Sequence, residues 1–252
     1  DSEISAALKD NFISSGIKVH NNSKVQSIEK LKTKIKVNII TESGSLQIDG
    51  NVALLAIGVE GNINNIGLQD IGVQSKNGSI SINNYCQTNI SNIYAIGDVA
   101  GPPWLAHKAS AQGHMVADLI CGKSVHEIDY FNVPNCTYSQ PQVASLGLTE
   151  SKAKDLGHSI KVGKFFFRAS GKAMAVGNTF GFVKLIFDDR YGELIGAHII
   201  GDGATEMIAE LNVAKALEST WEDLALTMHA HPTLSEAVME AAMDAFGSAI
   251  HQ

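Results

Sequence analysis

Apolar residues recur at helical spacing in several parts of the chain. Near the amino terminus Ile4, Ala7, Leu8 and Phe12 lie three or four residues apart, and Gly16 follows where a helix would end. This spacing predicts an amphipathic helix. Similar spacing predicts further helices over residues 105–120, 149–156 (with Thr149 as the cap), 204–217, 221–227 and 234–246.

Alternating or continuous apolar runs predict β-strands between these helices. Short strands joined by polar turns are expected around residues 25–28, 35–39 and 46–48. The continuous apolar run from Val52 to Ile57 predicts a strand covered on both faces, and residues 93–96 predict a second one that ends at Gly97. Residues 160–167, 182–187 and 194–200 predict an antiparallel meander.

The order of these elements predicts three segments. The first comprises residues 1–58, and the second, residues 59–125, is rich in loops before its helix. In the third, residues 126–252, strands are followed by helices, which is typical of an α+β unit. We therefore expect an α/β chain whose last segment is α+β.

Composition narrows the classes of protein. With 252 residues and 44% hydrophobic content, the chain can bury a substantial hydrophobic core. Its formal net charge of −7 would repel a phosphate backbone, so nucleic acid is not expected as a partner. No apolar run approaches the roughly 20 residues of a membrane helix. Cys86, Cys121 and Cys136 are widely spaced and form no CxxC pair, which predicts a reducing, cytoplasmic location.

A first candidate site lies where the predicted strand 93–96 ends. Gly97 would allow a ligand to approach the backbone, and Asp98 could accept hydrogen bonds from a cofactor hydroxyl. The helix that starts close to Trp104 adds free N–H donors and partial positive charge. From these residues alone, an ordinary acid at a strand-to-turn junction is an equally good interpretation.

A second candidate site is the string His229-Ala230-His231-Pro232-Thr233-Leu234-Ser235-Glu236. Thr233 and Glu236 fit a helix capping box, which would explain the glutamate without any catalysis, and spacing alone favours that interpretation. A zinc site at His229 and His231 is the competing chemical interpretation. It lacks a nearby third ligand, and a proline follows the second histidine directly. No metal site is therefore expected.

Both strings resemble signatures of one family. The stretch from Tyr94 to Gly113, YAIGDVAGPPWLAHKASAQG, is similar to the second flavin-binding signature of the pyridine nucleotide-disulfide oxidoreductases. The resemblance implies FAD as a cofactor, contacted by Asp98 and by the helix start at Trp104, Leu105, Ala106 and His107.

The string HAHPTLSE resembles the active-site signature of the branch of that family that oxidises dihydrolipoamide. This resemblance implies that His231 is the general base and that Glu236 orients its imidazole, while His229 is expected to be structural. Such a base is needed because a thiolate, and not a thiol, attacks a disulfide.

The first segment resembles the distal half of the family's NAD-binding domain, which has a Rossmann-like fold. By position, Val25 and Gly58 would line the nucleotide. The family usually has an arginine after that glycine, whereas this chain has Val59. Without that arginine as a partner for a 2′-phosphate, NAD is favoured over NADP.

Over the whole chain, the resemblance implies the remainder of an NAD-binding domain (1–58), a central FAD-binding segment (59–125) and an interface, or dimerisation, domain (126–252). It implies a homodimer, in which the base reaches the disulfide of the opposite subunit, and a lipoyl-bearing acyltransferase of a 2-oxoacid dehydrogenase complex as partner. The chain starts after the positions of the redox cysteine pair and the first FAD motif, so we expect the chain alone to be inactive. The alternatives are a module for dimerisation and partner binding only, or another flavin disulfide reductase such as glutathione reductase or soluble transhydrogenase.

Overall fold

The structure is a computed structural model, and it describes residues 1–251. These residues divide into two compact units. The first unit contains Asp1–Leu8 together with the chain from Gly61 onward, and the second contains Lys9–Glu60. Helix α1 (Ser2–Ser14) is the helix predicted at the start of the chain.

The second unit contains a three-stranded antiparallel sheet of β1 (Lys24–Lys30), β2 (Ile35–Thr41) and β3 (Gly44–Gly50), in that order. The register aligns Val37 of β2 with Ile28 on one side and Ile48 on the other. Side chains paired across strands in this way form one apolar face of the sheet. The predicted short strands are confirmed.

The predicted strand from Val52 to Ile57 is wrong, because these residues form no strand. Val52, Leu54 and Ile57 are each more than 80% exposed. A strand needs the hydrogen-bonding edge of another strand, and in the described part of the chain no strand pairs with this run.

In the first unit, the chain after Gly61 forms a pair of two-residue strands, β4 (Ser75–Lys76) and β5 (Ser79–Ile80). A single 3-10 turn, Gly97–Ala100, and helix α2 (Ala106–Ile120) follow. The strand predicted over residues 93–96 is wrong in its extent, since only Tyr94 forms an isolated bridge, to Gln87. The backbone N–H of Ala95 instead donates to the carbonyl of Cys86 in the adjacent loop.

The rest of the first unit is built on a five-stranded antiparallel sheet. Its strands are β6 (Asn135–Thr137), β7 (Gln142–Gly147), β8 (Ile160–Phe166), β9 (Gly181–Asp188) and β10 (Leu194–Gly201), in the order β6-β7-β10-β9-β8. The meander β8-β9-β10 is confirmed. The sequence analysis missed β6 and β7, which extend the sheet beyond β10.

Five helices belong to this part of the chain: α3 (Glu150–Asp155), α4 (Gly171–Val176), α5 (Ala204–Ala216), α6 (Trp221–Leu226) and α7 (Glu236–Ala245). Residues of α5, α6 and α7 join those of the sheet in the largest hydrophobic core. Helix α7 lies directly on β8, because a Cβ atom at Gly163 would be 1.9 Å from the carbonyl oxygen of Ala241. This close approach fixes the helix that carries Glu236.

A buried ionic cluster holds the start of α1 on this sheet. The Nζ atom of Lys184 in β9 is within 3.1 Å of carboxylate oxygens of Asp1, Glu3 and Glu150. The Lys184 side chain is 1% exposed, so these acids take the place of water as the partners of its charge. Among the described residues, no helix has the length and apolar character needed to cross a membrane.

Candidate functional site

The loop around Asp98 is a tight, exposed turn. Asp98 lies in the 3-10 turn Gly97–Ala100, and its carbonyl accepts a hydrogen bond from the N–H of Gly101. Gly97 has φ +73°, a conformation that residues with a side chain rarely adopt. The Asp98 carboxylate is thus presented to solvent at a turn that requires glycine.

Two buried polar side chains of α2 hold this turn in place. Lys108 Nζ donates to the carbonyls of Gly97 and Gly101 at 3.0 and 2.8 Å. Gln112 Oε1 accepts from the N–H of Gly97 at 2.8 Å, and its Nε2 donates to the Tyr130 hydroxyl. Burial lowers the pKa of Lys108, and the charge of Asp98 opposes that effect.

The sequence analysis missed Lys108 and Gln112. Their signal was their spacing, because they fall on the same face of α2 as Met115 and Val116, which is the buried face. Polar residues at core positions are retained when they have fixed partners, and here the partners are backbone groups of the candidate cofactor loop.

The beginning of α2 presents the other predicted flavin-side residues. Leu105 is the N-cap residue and Ala106 the first helical residue, while Trp104 is 40% exposed. The N-terminal N–H groups of a helix carry partial positive charge. The His107 ring makes a 2.8 Å hydrogen bond from Nε2 to the carbonyl of Pro134, which fixes this side chain to the following segment.

His231 and Glu236 form a hydrogen-bonded pair at the start of α7. The Nδ1 atom of His231 lies 2.9 Å from Glu236 Oε1. The His231 side chain is 77% exposed and that of Glu236 is 26% exposed. Because the Glu236 carboxylate accepts a hydrogen bond from Nδ1, the neutral ring carries its proton on this nitrogen. The exposed Nε2 then has a lone pair that can accept a proton.

Glu236 also performs the capping role considered in the sequence analysis. Its Oε2 accepts a hydrogen bond from the N–H of Thr233 at 2.8 Å. The Thr233 hydroxyl donates to the carbonyl of Ala230 instead of capping the helix, so only half of a capping box is formed. Structural capping and orientation of His231 are therefore compatible, because each uses a different carboxylate oxygen.

The electrostatics of this pair favour an ionised glutamate. The hydrogen bond from the Thr233 N–H lowers the pKa of Glu236 most, partial burial opposes it, and the bond to His231 lowers it further. A carboxylate that stays ionised can stabilise a positive charge formed on the neighbouring imidazole.

The two predicted nucleotide residues lie in the second unit. Val25 is on β1 and is 51% exposed, and Gly58 follows the exposed apolar run. Within the first unit, the structure groups the Asp98 turn with the start of α2, and it groups His231 with Glu236. The described hydrogen bonds and ion pairs do not join these two groups to each other.

Two family models match the chain. Residues 1–113 match the pyridine nucleotide-disulphide oxidoreductase model, and residues 133–242 match the dimerisation domain of the same family. The chain therefore belongs to the pyridine nucleotide-disulphide oxidoreductase family.

Within that family, the curated relatives with high similarity are named dihydrolipoyl dehydrogenase. The Rhizobium etli protein is 46% identical over all of this chain and 53% of its own length. The Zymomonas mobilis protein is 43% identical, again over all of this chain and 54% of its own length. The crystal structure of LpdA from Mycobacterium tuberculosis superposes with a TM-score of 0.88 at 26% identity, covering 96% of this chain and 52% of that one. The chain spans about half the length of the curated relatives it matches.

Proposed function

We propose that this chain carries the acid-base part of a dihydrolipoamide dehydrogenase, an enzyme that oxidises dihydrolipoamide to lipoamide with FAD and NAD. The observation that carries the proposal is the His231–Glu236 pair, with one ring nitrogen held and the other exposed. The names of the relatives support the same activity.

In this proposal His231 takes a proton from the substrate dithiol. A free thiol has a pKa of about 8.5 and is mostly protonated at neutral pH, whereas the thiolate is the reactive form. The exposed Nε2 of His231 accepts the thiol proton, and the resulting imidazolium is stabilised by Glu236 through Nδ1. Because Glu236 is anchored by the Thr233 N–H, it keeps its position when the charge on the ring changes.

The residues around Asp98 fit the binding of FAD. The turn held by Lys108 presents an exposed carboxylate suited to a polyol hydroxyl, and the start of α2 offers backbone donors at Leu105 and Ala106. Trp104 and His107 complete the proposed contact surface. When bound, FAD supplies the two-electron acceptor between the dithiol and the nucleotide.

Val25 and Gly58 are the proposed NAD contacts. The residue directly after Gly58 is Val59, which cannot pair with a 2′-phosphate as a basic residue would. NAD is therefore favoured over NADP. The division into segments 1–58, 59–125 and 126–252, with NAD, FAD and interface roles, is part of the same proposal.

The proposed assembly is a homodimer formed through the third segment. Exposed apolar side chains next to the His231 loop support it, since Leu226 is 83% and Met228 96% exposed. The match to a dimerisation domain over residues 133–242 points the same way. We further propose a lipoyl-bearing acyltransferase as partner and a cytoplasmic location, where Cys86, Cys121 and Cys136 remain free thiols as they are here.

The test uses a chimera in which these 252 residues replace the matching half of the Rhizobium etli dihydrolipoyl dehydrogenase. Dihydrolipoamide-dependent reduction of NAD is measured beside reduction of NADP and of oxidised glutathione. We expect turnover with dihydrolipoamide and NAD. A folded, FAD-loaded, dimeric chimera that shows no turnover with this pair would contradict the proposal, and turnover with glutathione would favour the rival reductase.

A further inference from the structure

The motif of the second candidate site contains two histidines whose environments are opposite. The His229 side chain is 4% exposed, whereas that of His231, two residues later, is 77% exposed. The first ring therefore points into the fold and the second points out. The role of His229 is not explained by the proton transfer assigned to His231.

Both ring nitrogens of His229 have close partners. Nε2 lies 2.6 Å from Glu210 Oε1, and Nδ1 lies 2.8 Å from the carbonyl oxygen of Thr227. A carbonyl and a carboxylate both offer acceptor oxygens, so the His229 ring is held by a hydrogen-bonding partner at each nitrogen. His229 and Glu210 thus form a largely buried histidine–carboxylate pair, in which the Glu210 side chain is 32% exposed.

The two ends of this pair belong to different parts of the fold. Glu210 is on α5, whose neighbouring Leu211 is fully buried in the main hydrophobic core. Thr227 is the C-cap residue that follows α6, and His229 lies in the irregular segment between α6 and α7. The pair therefore ties the segment that carries His231 to a helix packed in the main hydrophobic core.

We propose that His229 and Glu210 are positioning residues for His231, and that the contact between them fixes the backbone of residues 227–231 so that the His231 ring meets Glu236. Two further side-chain hydrogen bonds reach this segment, from the Thr227 hydroxyl to the Asp223 carbonyl and from the Thr233 hydroxyl to the Ala230 carbonyl. The charge on His229 also contributes to lowering the pKa of Glu236. The catalytic part of this inference rests on the proposed function, whereas its geometric part does not.

The test is ¹⁵N NMR of the histidine rings in the 252-residue chain. In the unmodified chain at a pH where the ring is neutral, we expect His231 to be protonated on Nδ1, because Glu236 accepts from it. In His229→Ala and in Glu210→Leu, we expect this tautomer to lose its dominance, with both ring nitrogens shifting towards the values of an exposed histidine. His158→Ala serves as the matched control, because it removes another histidine–carboxylate pair, to Asp188, outside this segment.

Unchanged His231 nitrogen shifts in both folded variants would overturn the proposal. If the alanine variant fails to fold, His229→Gln and Glu210→Gln decide the matter. Each keeps a hydrogen-bonding group of similar size but breaks up the imidazole–carboxylate pair, and each must move the His231 shifts in the same direction, by a smaller amount.

The same substitutions in the chimera separate this inference from the proposed function. We expect the rate of reduction by dihydrolipoamide to fall while KM for NAD stays unchanged. A chimera that is inactive with His229 and Glu210 intact contradicts the proposed function and leaves the NMR result to decide the positioning role.

Discussion

Glu236 holds His231 with one carboxylate oxygen at 2.9 Å, and with the other it accepts from the N–H of Thr233, just before its own helix. The same side chain therefore links the proposed base to the start of α7. Substitutions that preserve its shape but not its charge can separate the two roles.

Glu236→Gln should impair proton transfer much more than folding. A glutamine can keep the contact with the Thr233 N–H through its carbonyl oxygen, but its amide then faces His231 and favours the wrong tautomer. We expect the dihydrolipoamide reaction of the chimera to slow by about 10²- to 10⁴-fold. Stability should fall by less than about 1 kcal/mol, measured by denaturant unfolding. If the rate falls by no more than the loss in the free energy of unfolding accounts for, Glu236 acts only as a cap.

His198 should make the fold sensitive to acid. This ring lies in β10 and is 1% exposed, donates from Nε2 to the Leu148 carbonyl, and burial lowers its pKa to about 4. The unfolded ring takes up a proton below about pH 6.5, while the folded ring resists until about pH 4, so stability falls as pH decreases through this window. The contribution is about 3 kcal/mol in total.

The measurement is urea unfolding of the parent chain and of His198→Gln at several values between pH 7.5 and 4. The loss of stability on acidification should be smaller in the variant, because its side chain does not titrate. Parallel pH profiles for the two chains would contradict the assignment.

Lys108→Met should loosen the turn that presents Asp98. The substitution keeps the apolar stem but leaves the carbonyls of Gly97 and Gly101 without their buried donor. We expect a loss of about 1 to 3 kcal/mol in stability and faster amide hydrogen exchange over residues 97–101. Lys123→Met is the control, since Lys123 pairs with Asp118 at an exposed site. If only global stability changes and exchange in the turn does not, Lys108 does not hold the turn.

The helices and strands that were predicted correctly are those with local signals in the sequence. The helical period and the Thr149 cap defined α3, in which Thr149 indeed accepts from the N–H of Lys152. The meander was evident because strands rich in branched and aromatic residues alternate with turn residues. His231 and Glu236 were singled out by the resemblance of one short string to a family signature, because spacing alone favoured a capping box. The structure places the two side chains 2.9 Å apart, and their catalytic role stays a prediction.

The misses depend on partners distant in sequence. The run from Val52 to Ile57 has the composition of a buried strand, yet strand formation requires a neighbouring edge that composition does not reveal. The Glu210–His229 pair joins residues 19 positions apart on different elements, so no local motif indicates it. Likewise, the partners of Lys108 are backbone carbonyls, which leave no trace in the sequence.

The most direct test of the central claim separates the two half-reactions of the chimera by stopped-flow spectroscopy. In His231→Gln, the account predicts that reduction of the enzyme by dihydrolipoamide slows by about 10²- to 10⁴-fold, as expected for loss of a general base. Electron exchange with NADH should be unchanged, because it does not use this histidine. Reduction by dihydrolipoamide at the parent rate would contradict the assignment of His231 as the proton acceptor.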